Sequence, residues 1–171
     1  MLKIIVVGPT PPFRGGISHH NTNLLSALSS NECDVLSISF SRLCPKLLYP
    51  GENDKDNSQK SLENSEPIID TLNPISWIKC YQRIIQFKPD IVIFHWWTTY
   101  FAFFYFTIMK LMRKDKYQKI CIVHNLFPHE KNLIDPFLTK FALNNFNNYI
   151  FHSKNVEEKF ILILPNKLHQ D

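Results

Sequence analysis

The chain has 171 residues and a formal net charge of +4, with 44% hydrophobic and 20% charged residues. This length suits one domain, and the composition excludes a wholly disordered chain, a collagen and a coiled coil. The positive charge is mild and spread out, so it fits an anionic ligand or an anionic membrane surface and does not indicate nucleic acid. The four cysteines show no Cys-x-x-Cys spacing and the N-terminus has no signal-peptide pattern, so we expect free thiols and a cytoplasmic protein.

The first elements along the chain predict a βαβ unit. Lys3–Val7 is a continuous apolar run, typical of a buried parallel strand. Residues 10–16 form a loop rich in proline and glycine, and from Ile17 the apolar residues recur with helical spacing. Residues 33–39 alternate like a second strand, which completes a right-handed crossover into a parallel sheet.

The rest of the chain continues the alternation of strands and helices. Residues 50–67 are polar, so we expect a mobile loop there. Asn73 and Pro74 are typical of a helix start. The later predicted elements are strands over 91–94, 120–123 and 149–151, and helices over 101–106, from Asp135, and over 156–164 after a Ser153 cap. This pattern predicts a Rossmann-like three-layer α/β/α sandwich with a mainly parallel sheet.

One stretch has the length of a membrane span. Residues 91–109 contain no Asp, Glu, Lys or Arg, and a transmembrane helix needs about 20 mostly apolar residues. The first half is β-branched, however, and His and Thr interrupt the run. We therefore interpret it as a strand, a loop and an apolar helix.

The ends of the predicted strands carry most of the candidate site residues. Ligands of open α/β sheets bind beyond the carboxyl ends of the strands. His95, His124 and His152 follow three of the predicted strands, so we expect them to converge at one edge of the sheet. A histidine there can bond a sugar hydroxyl or act as acid or base, or it can simply be satisfied by the backbone.

The loop after the first strand contains the pair Gly15 and Gly16. Without a Cβ, backbone N–H groups can approach an anion closely, and the dipole of the following helix favours phosphate. Arg14 can add charge-assisted hydrogen bonds. The alternative is a tight turn that binds nothing. The loop matches neither a dinucleotide fingerprint nor a P-loop, so dehydrogenases and P-loop NTPases are disfavoured.

Two aromatic residues, Trp96 and Trp97, follow the third predicted strand. Tryptophans at the edge of a cleft can stack on sugar rings, but strand alternation puts neighbours on opposite faces, so one of the two is expected in the core. His124 and His129 are five residues apart with a proline between them, which does not fit a zinc motif. We predict no metal site.

Six short segments occur along the chain in a characteristic order: P-P-F-R-G-G-I at 11–17, N-P-I-S-W at 73–77, P-D at 89–90, H-W-W at 95–97, H-N at 124–125 with P-H-E at 128–130, and H-S at 152–153. In this order they resemble the motifs of the N-terminal Rossmann-like domain of GT-B-fold, family-4-type glycosyltransferases. The resemblance covers essentially all of residues 1–171, which would form a single domain.

The resemblance implies retaining transfer of a sugar from a nucleotide sugar, used as co-substrate without a cofactor or obligatory metal, to a glycan or lipid-linked acceptor. It implies that Arg14, Gly15, Gly16 and Asn125 contact the donor and that His124 is catalytic. It also implies an acceptor-side or cleft wall made of His20, His95, Trp96, Trp97, His129, Glu130 and Ser153. Polysaccharide precursors at the inner membrane face are typical acceptors, so peripheral membrane contact is expected.

The family has a second Rossmann domain that binds the donor diphosphate, and 171 residues cannot contain two such domains. We therefore expect a truncated or split polypeptide with little activity alone, which needs a separate C-terminal half or self-associates. The alternative is a non-catalytic scaffold subunit that presents the acceptor. An oxidoreductase is disfavoured by the missing dinucleotide fingerprint, and a serine hydrolase by the missing nucleophile elbow.

Overall fold

A computed structural model describes residues 1–43, 54–56, 58–127 and 133–167. The chain order of its elements is β1 (Lys3–Val7), α1 (Gly16–Ser30), β2 (Asp34–Arg42), β3 (Ser65–Asp70), α2 (Pro74–Phe87), β4 (Ile91–Trp96), α3 (Ala102–Leu111), β5 (Gln118–Val123), α4 (Asp135–Leu143), β6 (Asn148–Phe151) and α5 (Lys154–Ile163). Short 3₁₀ segments precede and follow α3, at Thr99–Phe101 and Met112–Lys114.

The six strands form one sheet in the order β3-β2-β1-β4-β5-β6. β1 pairs in parallel with β2, β2 with β3, and β5 with β6. This sheet and the helices between its strands confirm the predicted Rossmann-like α/β fold. The chain divides into two compact units, and the boundary falls within β4.

Unit 1 comprises Met1–Ile93. Most of β1 is buried, as its continuous apolar sequence predicts. The predicted start of α2 is confirmed: the Asn73 side chain accepts a hydrogen bond of 3.1 Å from the Ile75 N–H, and Pro74 occupies the first turn. Lys88 ends α2 in the left-handed conformation. The Asp90 carboxylate then accepts a 2.8 Å hydrogen bond from the Lys3 N–H, which fixes the chain beside the start of β1.

Unit 2 comprises Phe94–Asp171. Its core is aromatic: the Phe94 ring meets Tyr105 and Phe146 edge-on, with centroids 5.8 and 5.5 Å apart, an arrangement that aromatic quadrupoles favour. The predicted cap of the last helix is confirmed, since the Ser153 hydroxyl accepts from the Val156 N–H at 3.3 Å. The elements predicted between residues 91 and 151 are present, with boundaries shifted by a few residues.

One strand was missed. The predicted mobile loop at 50–67 overlaps β3, which begins at Ser65. The sequence does not indicate β3 clearly, because the strand contains Pro67 and because only three of its six residues, Pro67, Ile68 and Ile69, are apolar. Residues 50–53 and 57 lie outside the described part of the chain.

The uncharged run at 91–109 contains β4, a 3₁₀ turn and most of α3, which confirms the strand, loop and helix interpretation. Among the described residues, no helix combines the length and the apolar character that crossing a bilayer requires.

Candidate functional site

In unit 1, Gly15 lies immediately before α1 with φ 111° and ψ 165°, a conformation that only glycine adopts readily. In the described part of the chain, no side-chain hydrogen bond caps this helix end. Apart from the adjoining residues, a Cβ on Gly15 or on Gly16 would meet no atom of the described residues within 4 Å. The space beside these two α-carbons is therefore open, and the first N–H groups of a helix are those that bind anions at a helix terminus.

The segment before this turn is held by backbone hydrogen bonds. Arg14 N–H donates to the carbonyl of Asp54 at 2.9 Å, and Asp56 N–H donates to the carbonyl of Pro12 at 2.7 Å. Phe13 is buried beneath them, and the Lys55 ammonium lies 4.8 Å from its ring centroid. Arg14 itself is exposed, so its charge is available to a ligand.

A carboxylate lies near this arginine. The hydroxyl and backbone N–H of Ser58 donate to Asp56, and together with the charge of Arg14 they lower the pKa of the Asp56 carboxyl below its usual range. Asp56 is therefore ionised at neutral pH, and it moderates the positive potential of the glycine turn.

Several polar residues of unit 1 that the sequence analysis did not single out line the segment after β1. The hydroxyls of Thr10 and Ser65 are hydrogen-bonded at 2.8 Å, and Thr10 N–H donates to the Ser39 hydroxyl at 3.1 Å. They lie beside a cavity of about 150 Å³ lined by Thr10, Phe13, Ser39, Lys55, Ser61 and Ser65. The buried Asn21 side chain donates to the carbonyl of Pro9 at 2.9 Å and fixes the start of the loop.

In unit 2, three histidines form a column of rings. His95 Nδ1 and His124 Nε2 are 2.9 Å apart, with the ring centroids at 5.2 Å. The His124 ring stacks on His152 at 4.5 Å. His95 is fully buried, His124 is half-buried and His152 is exposed. The predicted convergence of these strand-end histidines is confirmed, and the column runs from the core to the solvent.

Backbone contacts hold the column in place. His124 N–H donates to the carbonyl of Trp96 at 2.9 Å, just after the paired region of β5. The Tyr105 hydroxyl donates to the carbonyl of His95. The 2.9 Å separation between the two ring nitrogens is that of an N–H···N hydrogen bond. The pair can therefore take part in acid–base or hydrogen-bonding chemistry.

The two tryptophans differ in their surroundings. Trp96 is fully buried, its indole N–H donates to the carbonyl of Leu126 at 3.3 Å, and its ring meets Tyr105 edge-on at 5.5 Å. Trp96 therefore belongs to the core and offers no face to a sugar, which corrects its assignment to a cleft wall. Trp97 is half-buried, with its ring 4.6 Å from that of Phe101.

The other predicted site residues differ in their exposure and in their hydrogen bonds. Asn125 is exposed beside His124, and the Ser153 hydroxyl is engaged in capping α5. His20 is a half-buried residue of α1 in unit 1. His129 and Glu130 lie outside the described residues. The complete burial of His95 was also not predicted. Its imidazole contacts the half-buried His124 ring through the 2.9 Å separation between their nitrogens.

Among the described residues, the three cysteines are free thiols, as predicted. Burial raises the pKa of the Cys80 and Cys121 thiols well above the ordinary value. Both therefore stay protonated at neutral pH, and neither is a nucleophile.

Comparison with known proteins adds fold evidence. No protein-family model and no curated protein matches the chain. Among solved structures, a similar fold occurs in an alpha-glucosyltransferase in complex with UDP and a 13-mer DNA containing a central A:G mismatch, with a TM-score of 0.58 and 12% identity over 91% of this chain and 38% of that one. UDP-GlcNAc 2-epimerase from Methanocaldococcus jannaschii has a TM-score of 0.61 and 12% identity over 98% of this chain and 43% of its own. A third structure, described as trehalose-6-phosphate from E. coli bound with UDP-2-fluoro glucose, has a TM-score of 0.52 and 15% identity over 96% of this chain and 43% of its own.

At these identities the likeness shows the fold alone, and it supports the GT-B-type fold that the sequence resemblance predicts. Our chain spans about two fifths of the length of these three proteins.

Proposed function

We propose that the chain is the N-terminal half of a glycosyltransferase that moves a sugar from a nucleotide sugar to a glycan or lipid-linked acceptor. The observation that supports this most is the N-terminus of α1, where Gly15 and Gly16 leave open space beside their α-carbons. Helix ends of this kind bind phosphate groups. Two of the three similar structures are described with UDP or a UDP-sugar bound.

In this proposal two groups of residues have different roles. Arg14, Gly15 and Gly16 stabilise the negative charge of the donor phosphates through N–H groups and a guanidinium. His124 bonds the donor sugar, with its ring held by the Trp96 carbonyl and by His95. Asn125 is exposed beside His124 and can donate an amide hydrogen to the same ligand.

The acceptor side is assigned to His20, Trp97, His129, Glu130 and Ser153, with His95 acting through His124. The retaining mechanism and the dependence on a separate C-terminal half belong to the same proposal. Because the chain spans about two fifths of the similar structures, we expect it to bind a nucleotide sugar weakly and to turn it over slowly or not at all.

The test measures binding and turnover with the purified full chain. UDP, UDP-glucose and UDP-GlcNAc serve as probes in saturation-transfer NMR, and release of UDP is followed in parallel. We expect weak binding without turnover, and a loss of UDP binding in Arg14→Ala of about tenfold, the size of one charge-assisted hydrogen bond. A matched control is Arg113→Ala, an exposed arginine in unit 2.

Absence of binding by all three probes would contradict the donor assignment, and rapid turnover by the chain alone would contradict its status as one half. If a C-terminal half restores transfer, His124→Ala should abolish it. Unchanged transfer in that variant would instead identify a scaffold that presents the acceptor.

A further inference from the structure

The cavity beside Thr10 in unit 1 has no role in the sugar transfer proposed above. It measures about 150 Å³, and none of the residues assigned to the donor or to the acceptor is among the described residues that line it. Thr10 and Ser39 are buried in its wall, whereas Ser61 is exposed, so the cavity opens at the protein surface. We call it the hydroxyl cavity, because four lining side chains carry hydroxyl groups: Thr10, Ser39, Ser61 and Ser65.

Serine side chains are buried on the strand that forms part of this wall. Ser37 and Ser39 lie on one face of β2, and both are buried. Burying a hydroxyl costs free energy unless it is hydrogen-bonded. The Ser65 hydroxyl donates to that of Ser37 at 3.3 Å and is 2.8 Å from the hydroxyl of Thr10. These three hydroxyls therefore satisfy one another within the protein.

Ser39 differs from its neighbours in its hydrogen bonding. Its hydroxyl oxygen accepts a 3.1 Å hydrogen bond from the Thr10 N–H. Among the described residues, no group accepts a hydrogen bond from the Ser39 hydroxyl proton, although the residue is only 2% exposed. Buried polar groups are nearly always paired. Because Ser39 lines the cavity, a molecule bound there can supply the acceptor.

The rest of the described lining is mainly apolar. It includes the buried Phe13 and Phe40 and three prolines. The Lys55 side chain also contributes, and its ammonium donates to the carbonyl of Ser41 at 3.1 Å and lies 4.8 Å from the Phe13 ring centroid. Apolar walls with a few fixed polar groups are typical of small-molecule sites. This combination suits a ligand that has both C–H surfaces and hydroxyl groups.

We propose that the hydroxyl cavity binds a small polyhydroxylated molecule of the size of a monosaccharide ring or a cyclic polyol. An engineered cavity of about this volume binds benzene, so a six-membered ring fits. A ligand hydroxyl both donates and accepts, and it can therefore accept the Ser39 proton. A wholly apolar ligand would leave that proton unsatisfied, which carries a desolvation penalty. The inference does not depend on sugar transfer.

The test is an NMR titration of the full chain with myo-inositol, glucose and cyclohexanol, in which the amide signals of Thr10 and Ser61 are followed. Cyclohexanol shares the six-membered carbon ring of myo-inositol but has a single hydroxyl. We expect at least one of the two polyhydroxylated compounds to bind with millimolar affinity, and cyclohexanol to bind about tenfold more weakly than it does, because several hydrogen bonds are missing.

Two variants locate the binding in the cavity. Ser39→Ala removes the buried hydroxyl and should weaken binding of the polyhydroxylated compound about fivefold. Ser61→Trp obstructs the opening at an exposed position and should weaken it about tenfold. Because Ser61 is exposed, this second variant keeps the test valid if Ser39→Ala is unstable, and urea unfolding checks that each variant folds.

The matched control is Ser41→Ala, which removes a serine hydroxyl from β2 that bonds the carbonyl of Ile69 and lies outside the described lining. It should bind like the wild type. Absence of binding by both polyhydroxylated compounds up to about 100 mM would show that the cavity holds water alone and would overturn the proposal. Equal affinity for cyclohexanol, or an equal loss in Ser41→Ala, would overturn it as well. Failure of UDP to bind would contradict the donor assignment and leave this inference intact.

Discussion

The glycine turn of unit 1 and the histidine column of unit 2 are two candidate binding surfaces that are built in different ways. At the turn, the groups proposed to bind a ligand are backbone N–H groups, and Gly15 permits the conformation of the turn. In the column, the groups are side chains from three strand ends, graded from the buried His95 to the exposed His152. The turn depends on a single backbone conformation, and the column depends on packing.

This difference predicts different responses to substitution. Changes at the turn should act through backbone conformation and should be confined to one position. Changes in the column's surroundings should act through the core and should affect the stability of unit 2 as a whole.

The largest effect is expected for the tryptophan that supports the column. Trp96→Ala leaves a cavity between Tyr105 and the carbonyl of Leu126, and we expect it to lower the free energy of unfolding by about 3–5 kcal/mol. Urea unfolding measures this. The matched control, Trp97→Ala, removes a half-buried ring and should cost less than half as much. Equal costs would show that Trp96 is not a core residue.

At the turn, the effect should be smaller and restricted to one glycine. Gly15→Ala forces an alanine into a conformation that only glycine adopts readily, so we expect a loss of about 1–3 kcal/mol in urea unfolding. Gly16→Ala, in the first turn of α1, should change stability by less than about 0.5 kcal/mol. If the two alanine variants were equally stable, the turn would not depend on the φ of Gly15.

The smallest effect is expected at an ion pair of unit 1. Burial alone would raise the pKa of the Asp70 carboxyl, but hydrogen bonds from Arg42 and from the Leu72 N–H, with the charge of Arg42, hold it below its ordinary value. A carboxyl whose pKa falls on folding stabilises the protein above its unfolded pKa of about 3.9, and this contribution is lost as the pH falls through the folded pKa.

Asp70→Asn should therefore lower the unfolding free energy by at most about 1 kcal/mol at pH 7. The difference from wild type should shrink as the pH falls below about 4. Urea unfolding across this range measures it, and a difference that grew on acidification would contradict the assignment.

Much of this architecture could be predicted from local sequence. Asn73 with Pro74, and Gly15 with Gly16, lie at helix starts, as the sequence predicts. Such starts can be predicted because capping and backbone freedom depend on adjacent residues. The convergence of His95, His124 and His152 followed from the rule that parallel strands end at the same edge of the sheet. Both inferences needed only strand order and short-range chemistry.

Burial was the property that sequence could not supply. Trp96 and Trp97 are identical side chains on adjacent positions, and only the packing against Tyr105 makes the first a core residue. β3 was missed because its pairing with β2 is long-range: Ser65 is paired with Ser37, and hydroxyl residues give no apolar alternation. The cavity beside Thr10, which Ser39 of β2 and Ser65 of β3 help to line, depends on the same pairing.

An NMR titration of the full chain tests the central claim most directly. Amide signals of Gly15 and Gly16 and the imidazole signals of His124 are followed as UDP, and then UDP-glucose, is added. Our account predicts that UDP shifts the glycine amides alone, and that UDP-glucose also shifts the His124 ring. If both ligands shift signals elsewhere and leave the glycine amides and His124 unchanged, this chain does not bind a nucleotide sugar through these residues.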